Sequence, residues 1–117
     1  MKPLPLPKGK ARDQTAEAVI RRLYRLWRRN PERRERIYCA ADANGKDCRA
    51  DSPLACKVCV IVGLYRFATT SAADAAFEKL ERISLDRYGL HPMLINLDKS
   101  PDRILAVLRE ALSEKGT

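Results

Sequence analysis

The chain has 117 residues, 45% of them apolar and 32% charged, with a formal net charge of +8. That length allows one domain with one modest core, and the apolar content argues against a disordered chain. No apolar run reaches the ~18 residues of a membrane span, and no apolar segment like a secretion signal's follows Lys2, so a soluble protein of a reducing cytoplasm is expected.

Residues 1–12 carry prolines at positions 3, 5 and 7, which enforce extended backbone. With Lys2, Lys8, Lys10 and Arg12 they read as a flexible, basic, Pro-rich arm ahead of a single helical domain, residues 13–117. The basic excess continues beyond the arm. Residues 1–36 hold 12 Lys and Arg against 4 Asp and Glu, whereas residues 37–117 hold 11 of each. Such a patch attracts nucleic acid, an acidic protein or an anionic membrane surface, or else it is a solvated helix face.

A helix is predicted over residues 16–29, with Asp13 or Thr15 as its cap. Ala16, Val19, Ile20, Leu23, Leu26 and Trp27 recur at helical spacing and form its apolar face. Arg21, Arg25 and Arg28 project from the other side, flanked by Arg22 and Arg29. Asn30-Pro31 ends this helix and opens a short second one over 31–37, where Arg33, Arg34 and Arg36 extend the basic surface. Residues 37–50 are predicted as a small β-hairpin or an irregular loop. Asn44-Gly45 marks the turn, and the expected register pairs Asp42 with Asp47 and Ala41 with Cys48.

A third helix is expected from Pro53 to Phe67, capped by Asp51 or Ser52, although the β-branched run Val58–Val62 also suits a buried strand. Ser71 with Asp74 resembles a capping box for a helix reaching Tyr88 and stopping at Gly89. Its inward residues would be Ala73, Ala76, Phe77, Leu80, Ile83 and Tyr88. Leu90–Leu97 is an apolar connector beginning with His91-Pro92. Ser100-Pro101 opens the last helix, with Ile104, Val107, Leu108, Ala111 and Leu112 facing the core and Gly116 beyond its end. The fold class is therefore mainly α, a compact bundle of four to five helices.

All four cysteines lie between residues 39 and 59, spaced C-x8-C-x7-C-x2-C. In the expected helix Cys56 and Cys59 stand one turn apart on a shared face. Cys39 and Cys48 would approach from the loop, so that four thiolates would suit tetrahedral zinc. Against this, most structural zinc sites use two close pairs and only one exists here. Buried or free thiols are the competing expectation. A redox Cys-x-x-Cys site lacks the preceding strand and βαβ context it needs. Neither the lone His91 nor the Asp42-Ala43-Asn44-Gly45 turn forms a catalytic or calcium motif. The expected protein is not an enzyme.

Asn44-Gly45, Pro53, Ala55, Cys59 and Gly63, followed by Asn96, Leu108 and Ala111, resemble the pattern of a family of small bacterial and phage proteins described only as a domain of unknown function. The likeness spans residues 17–113. Gly63 falls one residue later than in the family, and Leu97 stands where the family has Asp. The resemblance implies a compact helical domain from a phage or mobile element and carries no chemistry with it.

The functional expectation rests on Arg21, Arg22, Arg25, Arg28, Arg29, Arg33, Arg34 and Arg36. These would bind nucleic acid, a ribonucleoprotein or an acidic protein surface, with guanidinium groups meeting phosphates bidentately. Tyr24 is the candidate for base stacking. The alternatives are a structural protein–protein module using Leu90–Leu97, and a zinc domain built on Cys39, Cys48, Cys56 and Cys59.

Overall fold

The structure is a computed structural model and describes residues 1–114; Gly116 lies outside the described residues. The described residues form five α-helices and a small two-stranded sheet: α1 Ala16–Arg29, β1 Ala40–Ala41, β2 Lys57–Val58, α2 Val60–Phe67, α3 Thr70–Tyr88, α4 Pro92–Ile95 and α5 Asp102–Ser113. The mainly helical expectation holds.

Helix α1 forms as its periodicity predicts. Thr15 caps it, its hydroxyl accepting from the Ala18 amide at 3.1 Å. Val19, Ile20, Leu23 and Trp27 are buried on one face, which packs against α2, α3 and α5. Helix α2 crosses α1 at Gly63, where an added Cβ would stand 2.7 Å from a Leu23 methyl and 3.3 Å from Val58. The close approach therefore requires a residue without a side chain.

Several elements differ from expectation, and the apolar connector 90–97 contains the short helix α4. The helix predicted over 31–37 is a single 3-10 turn, Pro31–Arg33. Beyond it the chain becomes extended, because the Glu35 amide donates to the Val58 carbonyl. The helix expected from Pro53 starts only at Val60, capped by the Cys59 thiol. The β-branched run is divided, with Val58 in a strand and Val60–Val62 in the helix. Helix α3 is capped by Thr69 and not by Ser71, while Asp74 turns aside to accept from the Tyr65 hydroxyl.

β1 pairs antiparallel with β2, Ala40 opposite Val58 and Ala41 opposite Lys57. On the other side of β1 a hairpin does form, but with its register shifted by one residue: Ala41 and not Asp42 bridges Asp47, which makes a three-residue loop in place of the expected two. The loop Ala43-Asn44-Gly45 puts only the glycine at positive φ, +78°. The Asp42 carboxylate accepts from the Asn44 and Lys46 amides, so the aspartate organises the turn and does not face another across a ladder.

The N-terminal segment, expected as a free arm, is docked. Leu4 is buried, and its amide donates to the Ala55 carbonyl at 2.8 Å. The buried Arg66 guanidinium holds four carbonyls: Leu4 at 2.9 Å, Pro5 at 2.9 Å, Ala50 at 3.0 Å and Ser52 at 2.8 Å. Arg12 adds a bond to the Tyr65 carbonyl at 2.8 Å, and the Asp13 amide one to Phe67 at 2.7 Å.

Arg66 thus joins the N-terminal segment and the 50–52 turn to α2. Its replacement by alanine leaves four carbonyls without their donor. Arg66→Ala is expected to lower stability by about 3 kcal/mol, read as a reduced urea midpoint. Limited proteolysis should then cut first within residues 1–12.

Candidate nucleic-acid interface

Of the eight arginines expected to form one basic surface, the structure leaves four together. Arg22 is turned to the edge of α1. It binds the Asp13 carboxylate bidentately at 2.7 and 2.9 Å and lies 5.1 Å from the centre of the Phe67 ring. The hydrogen bond to Asp13 raises its already high pKa. Arg33 donates to the Lys2 and Cys56 carbonyls.

Arg34 is buried and donates to the carbonyls of Asn96 and Asp98. Burial lowers its pKa, and the neighbouring Arg36 adds to the effect. Arg36 in turn holds the Leu97 and Asp98 carbonyls. Asn96 returns a bond to the Glu35 carbonyl at 2.8 Å. Arg34 and Arg36 therefore clasp the α4–α5 connection and are not placed to meet a ligand. A one-dimensional charge count cannot separate such clasps from surface charge, since both read as Arg in a polar run.

Arg21, Arg25, Arg28 and Arg29 remain on the outer face of α1. With Tyr24 and Leu112 of α5 they line an open groove. Arg25, Arg28 and Arg29 are exposed, and none forms an ion pair among the described residues. Arg28 sits 5.8 Å from the centre of the Tyr24 ring and donates to its hydroxyl at 3.3 Å. Arg21 pairs with Glu17 at 2.6 Å, both side chains substantially exposed. An i,i+4 pair of this kind contributes only a few tenths of a kcal/mol, about 0.3–0.5, so an incoming anion can displace it. Leu112, expected wholly in the core, supplies the groove with an aliphatic wall; nothing in its periodicity distinguishes a core position from this edge position.

The cysteines do not assemble as a zinc centre would require. Cys39 is exposed, Cys48 half-buried, and Cys56 and Cys59 buried, all as free thiols. Among the described residues no three His, Cys, Asp or Glu side chains converge to hold a metal ion. The physical reason is the strand between Cys56 and Cys59: it replaces the helical turn that would have put both thiols on one face. The Cys56 thiol instead faces the Met1 and Leu54 carbonyls at 3.5 Å each, and the Cys59 thiol accepts from the Val62 amide at 3.4 Å. His91 caps α4 through Nδ1 and meets the Glu81 carboxylate through Nε2 at 3.1 Å. No described helix is long and apolar enough to cross a membrane.

A scan against protein-family models gives no match to this sequence, and searches of curated proteins and of solved structures give no significant match either.

The clasp has a pH signature. Arg103 binds the Asp98 carboxylate at 2.7 and 2.8 Å and holds its pKa below the usual range, with smaller help from Arg34 and Arg36. The stabilisation is present above the unfolded carboxylate pKa and is lost as the pH falls through the lower folded value. Below about pH 4, the urea midpoint of the wild type should fall more steeply than that of Asp98→Asn. Parallel curves would show that this carboxylate does not contribute.

Proposed function

We propose that the chain is a non-enzymatic binding protein that contacts nucleic acid, free or within a ribonucleoprotein, through the groove on the outer face of α1. One observation carries this: Arg25, Arg28 and Arg29 surround Tyr24 in an open groove with no carboxylate paired to them among the described residues. Most of the other arginines of residues 1–36 are bonded internally. Arg22 has Asp13, while Arg12, Arg33, Arg34 and Arg36 have backbone carbonyls. Among the arginines of residues 1–36, those left without an internal partner among the described residues are thus concentrated in one place.

Guanidinium groups suit phosphate oxygens, and the Tyr24 ring with the Arg28 plane against it offers a surface on which a base can stack. The resemblance to small bacterial and phage proteins adds a setting, an accessory or inhibitor protein of a phage or mobile element, without adding chemistry. The bland competitor is that Arg28 and Arg29 merely complement the dipole at the C-terminus of α1, which is worth about 0.3–1 kcal/mol each. That account gives no role to Arg25, which lies upstream of the last turn.

A second reading, a protein–protein module, is favoured by the connector. Leu94 and Leu97 are 51% and 50% exposed, and Ile37 is 77% exposed. The Arg36 bonds to the Leu97 carbonyl bring the 37–39 loop alongside them. Light scattering with size-exclusion separates the two readings for self-association: a dimer that Leu94→Lys and Leu97→Lys dissolve would support the second.

The first reading is tested by fluorescence anisotropy with labelled oligonucleotides across a salt series. About three phosphate contacts predict a slope of log K against log salt of roughly −2 to −3. Arg25→Glu, Arg28→Glu and Arg29→Glu together should abolish binding, while Lys46→Glu in the distant turn should not. Undiminished affinity in the triple variant would rule the groove out.

A further inference from the structure

Two of the free cysteines are paired through their backbones just beyond the end of the small sheet. The register pairs Ala40 with Val58. One step outward it sets Cys39 against Cys59, and the Cys59 amide donates to the Cys39 carbonyl at 2.9 Å. Directly opposed residues of an antiparallel pair share a face, with Cα atoms about 5.5 Å apart at a hydrogen-bonded position. A disulfide accepts Cα separations of about 4.4–6.8 Å, a range that includes directly opposed positions, so closure requires Cys39 to turn its exposed thiol inward.

Cys39 can make that turn. It ends the exposed run Ile37-Tyr38-Cys39, in which the Ile37 and Tyr38 amides are held by the Glu35 carboxylate alone. The other two thiols lie elsewhere around the sheet. Cys48 is half-buried on the hairpin, and the Cys56 thiol faces the Met1 and Leu54 carbonyls.

The geometry points to Cys39 and Cys59 as an exchangeable dithiol whose reactant is a low-molecular-weight disulfide of the glutathione class. The exposed Cys39 is the entry point. Its thiolate attacks one sulfur of the small disulfide, forming a mixed disulfide and expelling one thiolate. The Cys59 thiolate then attacks the Cys39 sulfur, closing the Cys39–Cys59 bond and expelling the second thiolate. Both protein thiol protons end on the leaving thiols: the protein is oxidised by two electrons, and the small disulfide is reduced to two thiols.

The second step is the slow one. Cys59 is 1% exposed. Burial pushes its thiol up, the Val62 amide offsets part of this, and the nearby Cys39 adds to the rise. Closure also takes from α2 the thiol that accepts the Val62 amide at its first turn, so oxidation acts on the helix that packs against α1 through Gly63. The site is independent of the arginine groove.

The test is treatment of the intact wild-type chain with oxidised glutathione, followed by intact mass and peptide mapping. The expected result is a transient glutathione adduct on Cys39, then loss of two hydrogens with the Cys39 and Cys59 peptides linked. Cys39→Ser should show no internal bond, and Cys59→Ser should stop at the adduct. A persistent adduct in the wild type, a bond between Cys48 and Cys56, or no reaction at all would overturn the assignment. Because the wild type is read directly, a variant that fails to fold does not decide the result.

Discussion

A buried guanidinium bonded only to carbonyl oxygens governs this structure. Arg66 stands in the otherwise apolar helix α2, and burial lowers its pKa. A charge there is tolerable only if its donors are satisfied, because desolvation of an ion otherwise costs several kcal/mol. Four backbone carbonyls from two separate segments provide the satisfaction. The dependence runs both ways. Residues 4–5 and 50–52 have no regular ladder of their own, and their carbonyls need donors as much as Arg66 needs acceptors. The chain before α1 and the turn before β2 are therefore tied together through one side chain, with the Leu4–Ala55 and Asp13–Phe67 backbone bonds as further anchors.

Arg34 repeats the arrangement at the other end of the sheet, where the carbonyls belong to the α4–α5 connection. Together the two buried arginines account for how short strands of two residues each can persist. A two-stranded ribbon is marginal alone. Here β2 has Glu35 on one side and β1 on the other, and β1 is bridged in turn to Asp47. β2 is thus bordered by the segment that carries Arg34, while Arg66 holds the turn that leads into it. The same arrangement explains why the cysteines are scattered. They lie at the margins of this ribbon, where strand geometry separates residues that a helix would have brought onto one face.

What could be read from the sequence follows from the range of the interaction involved. The bounds of helix α1 were legible to the residue, and its cap was narrowed to Asp13 or Thr15, because periodicity and capping are local. So was the end of α3 at Gly89; α5 starts one residue later than expected, with Pro101 in the cap position and Asp102 first, its amide donating to the Ser100 hydroxyl. The start of α2 was not legible. Pro53 is a good opening residue, yet the pairing of Lys57 and Val58 with a strand 17 residues away prevailed, and no local rule encodes that partner. For the candidate site, the three unpaired arginines were legible and the exclusions were not. Arg33, Arg34 and Arg36 look the same as Arg25 and Arg28 until the carbonyls of residues 2, 56 and 96–98 are brought to them by folding.

The orientation of the groove follows from packing on the opposite side of its helix. Leu23 is fully buried over Gly63, which fixes the rotation of α1 about its axis. Successive residues advance by about 100° in an α-helix, so with Leu23 pointing inward Tyr24 stands about 100° away, Arg28 about 140°, Arg21 about 160°, Arg25 about 200° and Arg29 about 240°. The basic residues are centred directly opposite the contact with α2, and Tyr24 falls at the margin, where it reaches both the core and the groove. Arg22, at about 260°, is carried past the far edge and meets Asp13 instead. A larger residue at position 63 would press on Leu23 and tend to turn the whole face. The glycine in the core and the arginines at the surface are therefore two ends of one geometric constraint, which is why a position far from any ligand belongs to the account of the groove.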